Sequence, residues 1–297
     1  MSVPRSIIGI DLGGTKIAGA KYSDAWQRSH EERVPTHAEM QIGFVVEELL
    51  RVIDRIRDDG TCAVGIGVPG LVLQPQGVVV TMPNIPGARN IALKEDLEKR
   101  IGLPVFLDND AHCFTLAEAL HGAGKGHRVV AGVTLGTGVG GGIVIDGVVF
   151  GGSRGCAAEI GHMLLRPGEP PYKTSDLRGD VEQFLSGTAL GKRCEQAYDP
   201  HQYLEGAACQ FLHASIAKEV AWMCVNIIHL IDPSIIVFGG SVGRALAAHL
   251  PEILRDLRTW LLPETPLPKL AIGTLPDAGT LGAALLARSV FSQREEI

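Results

Sequence analysis

Ile8-Gly9-Ile10-Asp11-Leu12-Gly13-Gly14-Thr15-Lys16 is the stretch that decides the fold. An apolar run carrying one acid meets a Gly-Gly-Thr turn and resumes as a second apolar run over residues 17–22. Two strand-like runs joined by so short a glycine turn read as a β-hairpin. Gly13 and Gly14 let the backbone turn tightly and bring its N–H groups against an anion. Thr15 adds a hydroxyl donor, Lys16 a positive charge, and Asp11 is placed to hold a hydrated Mg²⁺ rather than the phosphate itself. Taken alone, this is equally an ordinary hairpin with an acid near its end; further segments decide.

Thr134-Leu135-Gly136-Thr137-Gly138-Val139-Gly140-Gly141-Gly142 fits G-x-G-x-x-G at Gly136, Gly138 and Gly141. A dinucleotide fingerprint needs a helix next. The next residues are instead Ile143-Val144-Ile145, then Asp146-Gly147 and Val148-Val149-Phe150, a hairpin signal. The segment therefore reads as a second phosphate-gripping hairpin. Gly124-Lys125-Gly126 lacks the spacing and hydroxyl of a P-loop.

Leu107-Asp108-Asn109-Asp110-Ala111 stands where a strand meets a helix. An acid or amide there caps the helix. The same residues suit catalysis: a helix N-terminus keeps Asp110 ionised as a general base toward a hydroxyl, with Asn109 orienting the acceptor. One residue can be the cap and its neighbour the base. Ala158-Glu159-Ile160-Gly161-His162 sets an acid and an imidazole three apart among apolar residues, and Glu182 comes after a polar loop over 166–181. Each alone would be a structural histidine or a solvated charge; paired, they point into a polar pocket. Phe238-Gly239-Gly240-Ser241 is a strand entering a glycine turn and then a helix. That is either simple connection chemistry or a flat surface for an adenine.

The bulk numbers fit a two-domain α/β protein. The chain has 297 residues, where about 100–200 residues make one domain. Net charge is −6 with no Lys/Arg block, which argues against nucleic acid or an anionic membrane as partner. The first residues lack the apolar core of a signal peptide, and no apolar run reaches a membrane span. The expectation is a cytoplasmic protein whose six cysteines, with no C-x-x-C pair, are reduced thiols. Strands are expected at 7–11, 17–22, 62–68, 105–107, 129–135, 142–145, 148–150, 235–238 and 270–272. Helices are expected at 42–57, 93–100, 110–121, 206–230, 241–257 and from 280. Each half opens on strands with a glycine-rich turn, so the chain divides into two related α/β domains, 1–118 with 283–297, and 119–282, flanking a cleft.

In combination and order these motifs resemble the ROK family of bacterial sugar kinases, within the actin/hexokinase/heat-shock-chaperone ATPase superfamily. The resemblance runs from Gly9 to about Leu286 and implies two RNase H-like domains with an interdomain cleft. It implies ATP and Mg²⁺ as cofactors, a small-molecule sugar as substrate, and a homodimer. By position, Asp11, Gly13, Gly14, Thr15 and Lys16 look like the first phosphate motif, and Gly136, Thr137 and Gly138 belong to the second. Asn109 and Asp110 look like the sugar-binding Asn and the catalytic Asp. Glu159, His162 and Glu182 match sugar contacts, and Gly239 and Gly240 the adenosine motif. The implied reaction is transfer of phosphate from ATP to the 6-hydroxyl of an N-acetylhexosamine, with N-acetyl-D-glucosamine first and glucose or N-acetylmannosamine as alternatives. His112 stands where Asn is more usual. A sugar-responsive repressor of the same family would carry a helix-turn-helix before the first motif, and an inactive sugar-binding module would not keep Asp110.

One departure matters. Family members usually place a C-x-C-G-x-x-G-C cluster between the matching His and Glu, binding zinc. Residues 163–181 hold no cysteine, so no structural zinc is expected. The loop is then expected to be held by contacts among Lys173, Asp176, Arg178 and Asp180, to order when sugar binds, and to leave His162 purely as a sugar ligand.

Overall fold

The computed structural model describes residues 5–195 and 202–295. The chain divides into two compact units, the first made of Met1–Ala117, Phe150–Ala157 and Pro276–Ile297, the second of Glu118–Val149 and Ala158–Leu275.

Unit 1 starts with the hairpin read from the sequence. β1 (Ser6–Leu12) pairs antiparallel with β2 (Lys16–Ser23), and β3 (Arg28–Pro35) adds to the outside of β2. β3 was not expected. Its sequence RSHEERVP is nearly all polar because it is a solvated edge, the place where charges discourage further pairing. Then come α1 (Ile42–Ile56), β4 (Thr61–Val68), β5 (Leu71–Leu73), β6 (Val78–Thr81), β7 (Arg89–Ile91), α2 (Leu93–Ile101), β8 (Val105–Asn109) and α3 (Asp110–His121). The main sheet has the order β3-β2-β1-β4-β8, with β1, β4 and β8 parallel. β5, β6 and β7 form a small antiparallel sheet. α1 buries Val45, Leu49, Val52, Ile53 and Ile56 against Ile8, Ile10 and Ile17 of the main sheet.

Register fixes where the polar residues fall. Asp11 on β1 is level with Gly67 on β4, and Gly67 with Asp108 on β8. Asp11, Asn109 and Asp110 thus stand at the carboxyl ends of parallel strands, the end where open α/β sheets take ligands. α10 (Ala278–Glu295) returns the chain to unit 1 and lies on β1 and β4. It comes close enough that a Cβ on Gly9 would stand 1.9 Å from Thr280 O and one on Gly65 1.8 Å from Ala283 O. Segments 150–157 and 276–282, assigned from sequence to the second domain, group with unit 1. Gln74 N donates to Arg154 O (2.9 Å), and Tyr22 Oη lies 2.8 Å from Thr280 Oγ1, contacts that no sequence pattern announces.

Unit 2 repeats the plan. β9 (Val129–Leu135), β10 (Val139–Ile145) and β11 (Val148–Val149) form an antiparallel meander. Asp146 (φ 52°) and Gly147 (φ 80°) take the two positive φ values of a type I′ turn. After a 3₁₀ turn at Ile160–His162 come α4 (Val181–Leu185), α5 (Gly187–Cys194), α6 (Gln202–Glu205), α7 (Gln210–Ile231), β12 (Ile235–Gly239), α8 (Gly240–Ala245), α9 (Leu250–Trp260) and β13 (Lys269–Ile272). The sheet order is β11-β10-β9-β12-β13, with β9, β12 and β13 parallel, the same plan as the main sheet of unit 1. α7 is long and apolar enough by composition to cross a membrane. Its buried residues, among them Ile216, Val220, Met223 and Ile227, join Phe184, Leu190 and Phe238 in the core of this unit.

The expectation of six reduced thiols is overturned. Cys194, at the end of α5, is bonded to Cys209, just before α7, with their Cα atoms 5.6 Å apart. Packing of α5 and α7 in one core, not a short cysteine motif, brings the two together. Cys62, Cys113, Cys156 and Cys224 are free.

The close approach of α10 gives a test. Gly65→Ala places a methyl against backbone that cannot yield cheaply, and Tm should fall by about 5 °C or more. Gly43→Ala, in α1 with nothing within 4 Å, should hold or raise Tm. Thermal unfolding of the two variants checks both; an unshifted Gly65→Ala contradicts the packing.

Candidate active site

In unit 1 the β1–β2 turn is locked from within and from one side. Gly13 N donates to Lys16 O (2.9 Å), Thr36 N to Thr15 O (3.0 Å), and Thr36 Oγ1 to Gly13 O (2.6 Å). Thr15 and Lys16 remain exposed at the tip. A Cβ on Gly14 would stand 3.4 Å from Asn84 Nδ2, so an amide from the β6–β7 loop borders the turn. Asn84 carried no signal in the sequence; only the fold brings it there.

At the β8–α3 junction the division of labour is visible. Asn109 is the cap: its Oδ1 accepts from Ala111 N (2.8 Å) and His112 N (3.3 Å), and its Nδ2 donates to Gly70 O (3.0 Å). Asp110 begins the helix and accepts from Ala111 N at Oδ1 (2.8 Å). Its carboxyl is pushed up to about 7, by burial first and then by the charge of Asp11, against the pull of the Ala111 N–H and His112. The expected reason for its ionisation, the helix N-terminus, is therefore outweighed. Asp11 is also raised, by burial, with Lys16 pulling it back. At Gly279, where α10 begins, a Cβ would stand 2.6 Å from Asp11 Oδ2, so the glycine leaves room for that carboxylate.

In unit 2 the residues singled out from the sequence gather around the β9–β10 turn, Gly136-Thr137-Gly138. Gly187 N donates to Gly136 O (2.7 Å) and Thr188 Oγ1 to Thr137 O (2.9 Å), tying the start of α5 to the turn. Gly240 has φ 77°, and a Cβ there would lie 2.2 Å from Leu135 O and 3.0 Å from Gly136 N. The Gly239-Gly240 connection therefore lies against the turn, and only glycine fits at 240. Glu182 Oε2 accepts Val139 N (2.9 Å), so this acid braces the turn with one oxygen. Glu159 precedes the 3₁₀ turn and His162 ends it, and the turn sits on β10: a Cβ on Gly161 would meet Val139 O at 2.2 Å.

His162 does not stand free as expected. Its Nδ1 lies 3.1 Å from Asp180 Oδ2. Asp180 is buried, caps α4 by accepting Gln183 N at Oδ1 (3.1 Å), and meets Arg178 Nη1 at 3.2 Å. Arg178 grips both oxygens of Asp176, and Gln183 bridges Gly179 N (2.7 Å) and Asp176 O (2.9 Å). The 163–181 loop is thus held by an ion-pair network in which three of the four expected residues take part; Lys173 lies exposed. Asp180 was expected only as a loop contact, and its part in orienting His162 shows first in the structure.

The donor chemistry bears on metals. Among the described residues no group of three or more His, Cys, Asp or Glu gathers as a metal cage. Asp11 offers a half-buried hard-oxygen carboxylate near the end of β1. That suits Mg²⁺, which keeps several waters and uses one or two carboxylates together with phosphates.

The chain is similar to known proteins over nearly its whole length. The ROK family profile matches residues 7–290. A glucokinase of Thermotoga maritima is 30% identical over 308 residues, covering 95% of this chain and 97% of its own. An N-acetyl-D-glucosamine kinase of Photobacterium profundum is 33% identical over 304 residues, covering 94% and 98%. A crystal structure of a ROK family glucokinase from Streptomyces griseus, in complex with glucose and AMPPNP, superimposes with TM-score 0.78 at 30% identity, covering 96% and 99%.

The raised carboxyl makes a stability prediction. Between the ordinary value of 3.8 and about 7 the folded protein keeps a proton on Asp110 that the unfolded chain has released. Stability therefore falls as pH rises through that window, and the full penalty holds above it. Asp110→Asn removes the penalty. Its Tm should equal that of the parent in acid and exceed it by several degrees at mildly alkaline pH. A constant difference across a pH series of melts contradicts the shift.

Proposed function

The chain belongs to the ROK family, and from that premise we propose that it is an ATP-dependent sugar kinase that phosphorylates the 6-hydroxyl of an N-acetylhexosamine, N-acetyl-D-glucosamine first. The observation that carries the chemistry is the Asp110 carboxyl, pushed up to about 7. A hydroxyl is a poor nucleophile, and a base whose pKa lies near the working pH combines availability with proton affinity. Asp110 takes the proton of the 6-hydroxyl as the γ-phosphate is transferred. Asn109, fixed by its cap and by Gly70 O, keeps a second amide hydrogen for the sugar. In unit 2, His162 is oriented by Asp180 so that Nε2 is left for a ligand, and Glu182 has Oε1 left when Oε2 is on Val139 N. Glu159 completes the sugar contacts of that unit.

The nucleotide is taken by the two glycine turns. Gly13, Gly14, Thr15 and Lys16 offer N–H groups, a hydroxyl and a charge to phosphate, and Gly136, Thr137 and Gly138 do the same in unit 2. Gly239 and Gly240 form the flat surface for adenine. Asp11 would hold a Mg²⁺ ion that arrives with the nucleotide, and the ion would supply neutralisation of phosphate charge. Exclusion of water from the reacting groups makes the sugar rather than water the acceptor.

Glucose is the second candidate, supported by the Thermotoga maritima glucokinase at an identity close to that of the N-acetyl-D-glucosamine kinase. A coupled assay of ADP release with N-acetyl-D-glucosamine, N-acetyl-D-mannosamine, glucose, mannose, fructose and allose separates them. Turnover should be fastest with N-acetyl-D-glucosamine; no ADP release with any sugar contradicts the whole reading. Asp110→Asn should retain sugar binding and lose turnover on the order of 10²–10⁴-fold, and near-parental turnover removes Asp110 from the base role.

A further inference from the structure

His112 lies buried in the first turn of α3, two residues after Asp110. Its two ring nitrogens meet two different oxygens. Nδ1 is 2.8 Å from Asp108 Oδ1 and Nε2 is 3.0 Å from the Ala157 carbonyl. A carbonyl oxygen can only accept. Asp108 Oδ1 already accepts the Asn109 N–H at 2.7 Å, so it too meets the ring as an acceptor. A neutral imidazole has a single N–H. It would satisfy one of these oxygens and turn a lone pair toward the other, in a place where an unmade hydrogen bond is expensive. Only the imidazolium donates to both. A buried cation is tolerated when it is fully hydrogen-bonded and faces an acid, and Asp108 and Ala157 O supply both conditions.

The three contacts tie together elements that carry the chemistry. Asp108 directly precedes the Asn109 cap. Ala157 ends the 150–157 segment of unit 1, and Ala158 beyond it has φ 65°, a left-handed conformation that costs energy in a non-glycine residue. Glu159 comes at once after it. The ring thus fixes the start of α3, the end of β8 and the stretch of chain that leads to Glu159. The charged groups facing it are Asp108 from β8 and Asp110 from its own helix; the Cys113 thiol follows it in the helix, and Arg154 and Cys156 are the titratable residues of the segment that ends at Ala157. Burial pushes the Cys113 thiol well up, so it adds no charge.

We propose that His112 is a positioning residue held permanently as an imidazolium, which clamps β8, the first turn of α3 and segment 150–157 and supplies the fixed positive charge beside Asp110. The inference deepens the reading of Asp110 as the base and rests on it for its kinetic consequence, though not for the protonation state. The charge opposes burial and Asp11, and so holds the Asp110 carboxyl down from where those two alone would set it.

Two measurements test it. In the intact protein with ¹⁵N-labelled histidine, His112 is assigned by its loss in His112→Asn. Both of its ring nitrogens should carry protons well above neutrality; one bare nitrogen at neutral pH overturns the proposal, whatever the enzyme's activity. In kcat/KM profiles of His112→Asn and His112→Gln, loss of the charge should move the acid limb up by about one pH unit, with a ten-fold lower rate on that limb. Lower activity with an unmoved limb makes the residue structural only and overturns the charge role. Where the variants do not fold, the His112 ring is assigned in the parent protein by through-bond correlation to its own backbone, and its two nitrogens still decide. A protein that turns over no sugar sinks the kinase reading while the same spectrum still reports on His112.

Discussion

Two acids set at the carboxyl ends of parallel strands in a poorly solvated corner of unit 1 are the constraint on which the rest depends. Burying Asp110 beside the charge of Asp11 raises its carboxyl from 3.8 to about 7, which corresponds to about 4 kcal/mol against ionisation. Set against a folding stability of about 5–15 kcal/mol, that is a large local penalty. It is the kind of conflict that folded proteins retain at functional sites. The same conflict gives a carboxyl that both holds and releases a proton near neutrality, and leaves the pair in want of a positive charge. Lys16 and His112 supply part of it from the protein; magnesium with a nucleotide supplies the remainder in the proposed reaction.

Close backbone packing holds the acids in place. α10 meets the sheet at Gly9 and Gly65, and begins at Gly279 against Asp11, while a Cβ on Gly282 would stand 1.8 Å from Cys113 O, so α10 also presses on α3 behind Asp110. Each contact puts helix where a side chain would otherwise be. Rigid elements, not loops, therefore set the separation of the two carboxylates, and Asn109, donating from Nδ2 to Gly70 O, ties the start of α3 to the end of β4. Unit 2 uses the same device on another scale: Gly240 and Gly136 let two turns touch, and Glu182 and Thr188 brace them.

Much of this was legible in the chain because glycine and hydrophobic period are local signals. The Gly13-Gly14-Thr15 turn, the Asp146-Gly147 turn and the apolar face of α1 announce themselves within a few residues, and the repeated plan of two sheets grows from them. What escaped depends on contacts far apart in sequence. β3 is polar because it is an edge. Cys194 and Cys209 meet through the packing of α5 and α7, with no motif to pair them. Asp180 reads as one loop acid among several until it is seen buried under His162. The reading of Asp110 as an acid kept ionised by a helix end failed for the same reason: the dipole is visible in sequence, whereas desolvation and the neighbouring Asp11 belong to the fold. His112 shows the limit most plainly, since its partners Asp108 and Ala157 are 4 and 45 residues away and its charge is evident only from seeing both.

Direct titration of the Asp110 carboxyl tests this account most closely. The protein carrying ¹³C-labelled aspartate, without ligand, would be followed by its carboxyl resonances across the pH range, with Asp110 assigned by the signal missing from Asp110→Asn. The account predicts a midpoint at about 7. A midpoint at the ordinary aspartate value, near 3.8, would contradict it, because the carboxyl would then be neither desolvated nor opposed by Asp11.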